Sequence, residues 1–483
     1  MTGSWFRARL PARLAASTRL TAPARDWLGW AGLALPMLLL GLLALRDLGT
    51  PSFWRDEVST VIFARGSLGD LLTIVGRDRQ EVGLANMATY YLILHFWLVI
   101  GETEARVRLL SVLIGVASVV PVFFVARRLG GWLAAGLAAG IFVLVPYVIH
   151  YSQEARGYSL AMLVGGGLTW LVLVGVERRD RIWPWLAYGV VAALGLYVHF
   201  FVALVVAAHG LWVLAARRVP AWPAALAAVV PIAIAAAPIP LIMAEFGAEH
   251  GWIPPLTARR AQLAITELLG GPLPALAFPV LLLVGAVARR RDSRYWLVAA
   301  SAVVPVAVAL AMSAVKPMFI PRYLIMILPQ LAVVAGVALV AVRPNVVRAG
   351  LAGALLAVLL IGLPSAYFSA TTIPWRSAGR WLADRVQPGD YIVMESWHNS
   401  PLDYYFRRAD PPTDLVRLRY DTALLGGVEG RVWLALAGMR PREIDDAVAE
   451  FLSNYRIDAA RSFGPRARIV LLVASDAAAS NTR

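Results

Sequence analysis

Residues 27–60 read WLGWAGLALPMLLLGLLALRDLGTPSFWRDEVST, and they set the reading of the whole chain. The stretch from Trp27 to Leu45 is apolar and uncharged, and at 1.5 Å rise per residue it is long enough to cross a hydrocarbon core of about 30 Å. Phe53-Trp54-Arg55-Asp56-Glu57-Val58 follows within ten residues, so two adjacent carboxylates lie just beyond a membrane span. Working outward, further apolar runs fall near 108–126, 131–149, 158–176, 183–199, 200–216, 222–243, 274–289, 295–314, 323–342 and 349–367. The pattern predicts an all-α polytopic membrane protein with about eleven transmembrane helices. Of the 483 residues, 59% are hydrophobic and 16% charged, which excludes an ordinary soluble domain. There is no cysteine, so a disulfide framework, thiol catalysis and thiolate metal sites are excluded.

The net charge of +15 comes almost wholly from arginine, since Lys316 is the only lysine. Nucleic-acid binding fits poorly with so much apolar sequence in runs of membrane length. The arginines instead orient the chain. Arg7, Arg9, Arg13, Arg19 and Arg25 precede the first span and predict a cytoplasmic N-terminus. With eleven spans, alternate connections carry Arg127/Arg128, Arg178/Arg179/Arg181, Arg217/Arg218, Arg289/Arg290/Arg291/Arg294 and Arg343/Arg348. The apolar stretch Leu84–Ile100 would invert this pattern if it crossed. It is therefore read as an outer interfacial helix, with Tyr90, Tyr91 and Trp97 at headgroup level. The arginine-rich start leads into an apolar stretch with no clear cleavage site, so no cleavable signal peptide is predicted.

Past about residue 370 the composition becomes ordinary. Strand-like runs at 390–394, 431–437 and 468–474 alternate with helical patterns near 376–386 and 442–453, predicting a small α/β domain. The domains are then 1–370, transmembrane, and 371–483, soluble and extracytoplasmic. There is no short-period internal repeat.

The outer connections gather the residues that could carry chemistry. Asp56 and Glu57 are flanked by aromatic and apolar residues. An acidic pair at a membrane surface is ordinarily a solvated loop charge, but in a partly dry site desolvation makes a carboxylate a stronger base. The short turn 150–156 supplies Glu154 and Arg156, between Tyr151 and Tyr158, either as an ion pair that holds the turn or as part of a site. His199 sits between two nearly contiguous spans, as a satisfied interfacial histidine or as a donor to a ligand. Lys316, Arg322 and Tyr323 form a basic turn. These cations either snorkel toward head groups or clamp a phosphate. Acidic and basic turns opening on one face suggest a hydroxyl nucleophile and an anionic, lipid-borne group. The carboxylates leave a metal open without demanding one.

These motifs resemble a known family. Asp56-Glu57 after the first span, Tyr151-Ser152-Gln153-Glu154-Ala155-Arg156-Gly157-Tyr158 after the third, and Lys316-Pro317…Pro321-Arg322-Tyr323 near the tenth are similar to the GT-C glycosyltransferases. Within that group the chain most resembles the bacterial branch of the dolichyl-phosphate-mannose protein mannosyltransferase family, family 39, related to the aminoarabinose transferases that act on lipid A. The resemblance runs over about 27–367. In the tail, Trp375-Arg376-Ser377-Ala378 and Gln387-Pro388-Gly389-Asp390 look like soluble extensions of some bacterial members.

The resemblance implies an inverting transferase of the bacterial cytoplasmic membrane. It would move a hexosyl or pentosyl unit from a polyprenyl-phosphate donor to a hydroxyl acceptor, on a lipid, glycan or protein, at the outer face. Asp56 falls at the catalytic acid of the family, with Glu57 as the second acid and Glu154 as the acid of the second outer loop. Arg322, with Lys316 and Tyr323, falls at the donor-phosphate motif. Arg108 resembles the arginine that closes the first loop, and Arg156, Tyr158 and His199 are the further substrate-binding candidates. A divalent metal, Mg or Mn, would sit at Asp56 and Glu154 if one is used. The chain departs from the family where a Pro-Pro-Leu motif is usual, reading Glu81-Val82-Gly83-Leu84-Ala85-Asn86, which points to a differently shaped pocket edge. A transporter or flippase of lipid-linked saccharides is the alternative, and a scaffold acting through its tail a third reading. Charges clustered at helix ends, without paired halves of broken helices, favour the enzyme.

Overall fold

In lipid every backbone polar group must find a partner within the chain, so the apolar runs form helices. The computed structural model describes residues 22–73, 85–178, 181–245, 253–367, 373–394, 400–420, 430–452 and 455–474. Residues 81–84 of the departing motif, Arg179 and the expected domain boundary at 370/371 lie outside these residues, as do Arg7, Arg9, Arg13 and Arg19.

The membrane part contains α1 (Ala22–Leu45), α2 (Arg55–Ala64), α3 (Leu68–Thr73), α4 (Ala88–Trp97), α5 (Glu104–Ala117), α6 (Val119–Leu144), α7 (Pro146–Ser152) and α8 (Tyr158–Glu177). It continues with α9 (Trp183–Leu196), α10 (Val202–Ala215), α11 (Trp222–Ala236), α12 (Ile239–Glu245), α13 (Ala258–Leu269), α14 (Pro272–Ala288) and α15 (Ser293–Val315). A 3-10 segment, Pro321–Ile327, then leads into α16 (Leu328–Ala341), and α17 (Asn345–Gly362) follows. Among the described residues, seven helices are long and apolar enough to cross a bilayer, or eight if α13 and α14, bent by 84°, make one broken span. Taken as eight, the count differs from eleven for two reasons. Glu104–Leu144 forms one 41-residue helical stretch, although Gly131, at φ 77°, breaks the helix inside it. The helices α9 and α10, with 14 residues each, are too short to qualify by length alone.

The stretch expected at the interface does form a helix, α4, and its Tyr90 and Tyr91 are buried against the rest of the protein. The Tyr90 hydroxyl hydrogen-bonds Ser111 at 2.7 Å, and Arg156 donates to the Tyr91 hydroxyl at 3.1 Å. Only Trp97 of the three reaches a more open position, donating from Nε1 to the Arg106 carbonyl.

The C-terminal part holds β1 (Tyr391–Met394), β2 (Val416–Arg419), β3 (Arg431–Ala437), β4 (Tyr455–Ser462) and β5 (Ala467–Ala474), with helices α18 (Trp375–Ala383), α19 (Pro401–Arg407) and α20 (Pro441–Phe451). The sheet order is β2-β1-β3-β5-β4. β1 runs parallel to β2 and β3, and β5 runs antiparallel to β3 and β4. Alternation along β3 sends Trp433 and Ala435 to one face, where they meet Trp381, Leu382 and Phe406 of α18 and α19. Val432, Leu434 and Leu436 go to the other, against Ile444, Val448 and Phe451 of α20.

Candidate active site

The segment 48–57 is organised by one buried ion pair. Arg108, on α5, lays its guanidinium against Glu57 of α2, with Nε donating to Oε1 at 2.8 Å and Nη2 to Oε2 at 2.6 Å. Both side chains are fully buried. The remaining Arg108 protons go to the carbonyls of Leu48, Pro51 and Ser52 at 3.0, 2.8 and 3.2 Å. Glu57 also accepts from Ala155 N–H at 3.0 Å and from Trp54 N–H at 3.4 Å. The pair ties the first loop to the turn that carries Glu154. All its hydrogen-bonding capacity is spent inside the protein, so Glu57 and Arg108 face each other and not a cavity.

Asp56 differs from its neighbour. Its side chain is 30% exposed, and its closest cation, Arg156 Nη2, stands 3.9 Å from Oδ2. Arg156 is held by the Asp56 carbonyl, Thr60 Oγ1 and the Tyr91 hydroxyl at 3.1–3.3 Å. Asp56 is therefore a carboxylate that is loosely paired and open on one side.

Glu154 lies in the turn between α7 and α8, almost wholly buried, and its Oε1 has no hydrogen-bond partner. Burial pushes its carboxyl up to about 8, helped by the negative charges of Glu57 and Asp56 and opposed by Arg156 and Arg322. At neutral pH it carries a proton. His199, in the link between α9 and α10, is buried and accepts from Phe201 N–H at Nδ1, 3.2 Å away. That bond leaves Nε2 as the protonated nitrogen, and Nε2 has no partner. With Nδ1 accepting, the ring is a neutral donor.

Arg322 and Tyr323 open the 3-10 segment. Its position depends on Gly165 of α8, where an added Cβ would overlap the Met326 carbonyl oxygen, and on Gln330, which donates to the Gly165 carbonyl at 2.8 Å. Arg322 Nε is buried without a partner. The rings of Tyr323 and His199 stand 4.9 Å apart, those of His199 and Tyr158 6.3 Å, and those of Tyr158 and Tyr151 4.8 Å. Lys316 is exposed at the end of α15 and does not join this group.

Glu154 and Arg322 open into a cavity of about 770 Å³, with Trp54, Arg55, His150 and Tyr151 on the membrane side and Met394, Leu402, Ala437, Met439 and Arg466 on the sheet side. A second cavity of about 590 Å³ lies between α7 and α13 and shares His150 and Tyr151 with the first. The sheet-side wall was missed in the sequence because it needs the tail folded back over the loops. Among the described residues no group of three or more His, Asp or Glu side chains is arranged to hold a metal ion.

The membrane helices, the loop helices between them and the C-terminal sheet give the chain a fold that superposes at low sequence identity on several solved structures. ArnT from Cupriavidus metallidurans in its apo state superposes with a TM-score of 0.60 at 14% identity, covering 93% of this chain and 98% of that one. The same protein bound to undecaprenyl phosphate gives 0.58 at 15% identity over the same shares. The archaeal oligosaccharyltransferase AglB from Archaeoglobus fulgidus, in complex with an inhibitory peptide and a dolichol-phosphate, gives 0.51 at 11% identity, covering 94% of this chain and 77% of that one. In sequence, residues 86–242 match the family model described as dolichyl-phosphate-mannose-protein mannosyltransferase, which is less than half of the chain. No curated protein matches the chain in sequence.

Proposed function

We propose that this protein is an inverting glycosyltransferase that moves a sugar from a polyprenyl-phosphate donor to a hydroxyl acceptor at the outer face of a bacterial cytoplasmic membrane. The observation that carries the reading is the convergence of an open carboxylate, Asp56, with a protonated Glu154 and the cations Arg156 and Arg322, all within electrostatic reach of one another. The shared fold supports it, as do the solved relatives that hold undecaprenyl phosphate or dolichol-phosphate.

In this reading Asp56 accepts the acceptor's hydroxyl proton as the oxygen attacks the anomeric carbon, worth roughly 10²–10⁴-fold. The sugar–phosphate bond breaks on the opposite side, which inverts the configuration. Arg322, whose Nε is free to donate, neutralises the departing phosphate. Neutral His199 and protonated Glu154 donate hydrogen bonds to the donor without adding negative charge beside it. Tyr158 and Tyr323 wall the site, and Arg156 orients Asp56. Glu57 and Arg108 act as positioning residues. Lys316, at the surface, guides anionic head groups. The sequence left a divalent metal, Mg or Mn, open at Asp56 and Glu154 without demanding one. The described residues set the Asp56 carboxylate and the protonated Glu154 carboxyl beside the guanidinium groups of Arg156 and Arg322, and the roles given above are carried by these side chains.

The topology we infer has eleven crossings, with Glu104–Leu144 passing twice about Gly131 and α9 and α10 completing their spans with the flanking turns. The N-terminus is cytoplasmic and the sheet domain, about 371–483, extracytoplasmic. The decisive experiment measures transfer of labelled sugar from synthetic polyprenyl-phosphate donors, covering hexosyl and pentosyl types, by purified protein. Asp56→Asn should lower kcat at least about 10²-fold in folded protein. Full activity of that variant would remove the base, and donor translocation without transfer would favour the flippase.

A further inference from the structure

The loop that delivers Asp56 is gripped from two sides. Arg108 holds it from the membrane part through three carbonyls. From the sheet domain, the Tyr405 hydroxyl of α19 accepts the Phe53 N–H at 2.7 Å, in a buried bond, and donates to Glu104 Oε1 at 2.6 Å. Arg376, in the first turn of α18, donates its backbone N–H to Ser52 Oγ at 3.1 Å, its Nη2 to the Gly49 carbonyl at 3.1 Å and its Nε to Glu104 Oε1 at 3.0 Å. Glu104 begins α5, one turn before Arg108 on the same helix, so both grips share one rigid base. Phe53 is fully buried, with its ring edge-on to Tyr404 at 6.0 Å between centroids.

We propose that Tyr405, acting with Arg376 and Glu104, is a positioning residue for Asp56, so that the sheet domain completes the active site instead of merely adjoining it. The proposal rests on Asp56 as the base. Only Trp54 and Arg55 separate Phe53 from Asp56, and the intervening chain enters α2 directly. Freeing the Phe53 N–H lets the start of α2 shift, and a displacement near 1 Å can cost about 10²-fold in rate. The sequence separation of 352 residues between Phe53 and Tyr405 makes this a product of tertiary folding alone.

The chain has no cysteine, so Ser52→Cys creates a sole thiol at a buried point of the grip. In this background, on the full-length protein in nanodiscs, Tyr405→Phe keeps the ring and removes one oxygen. Labelling by a maleimide should quicken about 10-fold. Without the reporter, Tyr405→Phe should lower kcat about 10-fold or more while donor KM stays within about twofold, and Glu104→Gln, which keeps an acceptor oxygen, should lose less. Unchanged labelling overturns the proposal, and so does turnover within twofold of the parent. If Tyr405→Phe does not fold, Arg376→Lys carries the same two measurements. Should Asp56→Asn prove fully active, the base has failed, and labelling alone then reports whether the grip exists.

Discussion

At Glu154 the protein keeps an almost wholly buried carboxyl at the wall of the cavity. Its ordinary value of 4.5 rises to about 8, so the folded protein holds a proton there that the unfolded chain releases between those values. The sign follows from linkage: the stability contributed is full below about 4.5 and is lost as pH rises through about 8. Thermal unfolding of the parent should therefore decline on the alkaline side, and Glu154→Gln, which stays neutral, should flatten that decline. Activity should carry the same signature. A carboxylate formed beside the donor phosphate repels it, so kcat/KM should fall above about pH 8 in the parent and lose that limb in Glu154→Gln.

Among the elements, the joint between α2 and α5 is the most exposed to damage. Arg108→Leu strands a buried carboxylate, and loss of one partner of such a pair costs about 3–5 kcal/mol, readable as a lower thermal midpoint in detergent. Arg108→Lys should recover only part, because a lysine cannot donate to both Glu57 oxygens and three carbonyls at once. The sequence showed most helices, since long apolar runs in lipid have few other solutions. It showed β1, β3 and β5, whose residues are mainly buried, but not β2 and β4. Val416–Arg419 and Tyr455–Ser462 lie at the sheet edges with most side chains exposed, so apolar alternation was absent there. The pairing of Glu57 with Arg108 was also hidden, because the two are 51 residues apart and Glu57 read as a second catalytic acid.

For the whole molecule, two ends are distinct. Arg127 stacks on Trp30 and Trp132, and Arg128 pairs with Glu177, all near the start of α1. The end of α1 instead meets Gln153, which donates to the carbonyls of Ala44 and Arg46 beside the site. Single-cysteine variants of this cysteine-free chain give a direct check. Asp410→Cys should react with an impermeant maleimide in intact cells, and Arg290→Cys only after permeabilisation. The acidic and basic turns of the site were legible because each borders a span. The cavity's far wall was not, because no local pattern records that α19 and the ends of β1 and β3 close over those turns. The manner of that closure has an evolutionary consequence. Arg108, Arg376 and Tyr405 hold residues 48–53 mostly by main-chain atoms, at Leu48, Gly49, Pro51, Ser52 and Phe53. Apart from the buried Leu48, Ser52 and Phe53, side chains on this loop can change without touching these bonds, whereas an insertion or deletion of one residue would put every one of those contacts out of step. Selection on this segment therefore acts on its length more than on its letters.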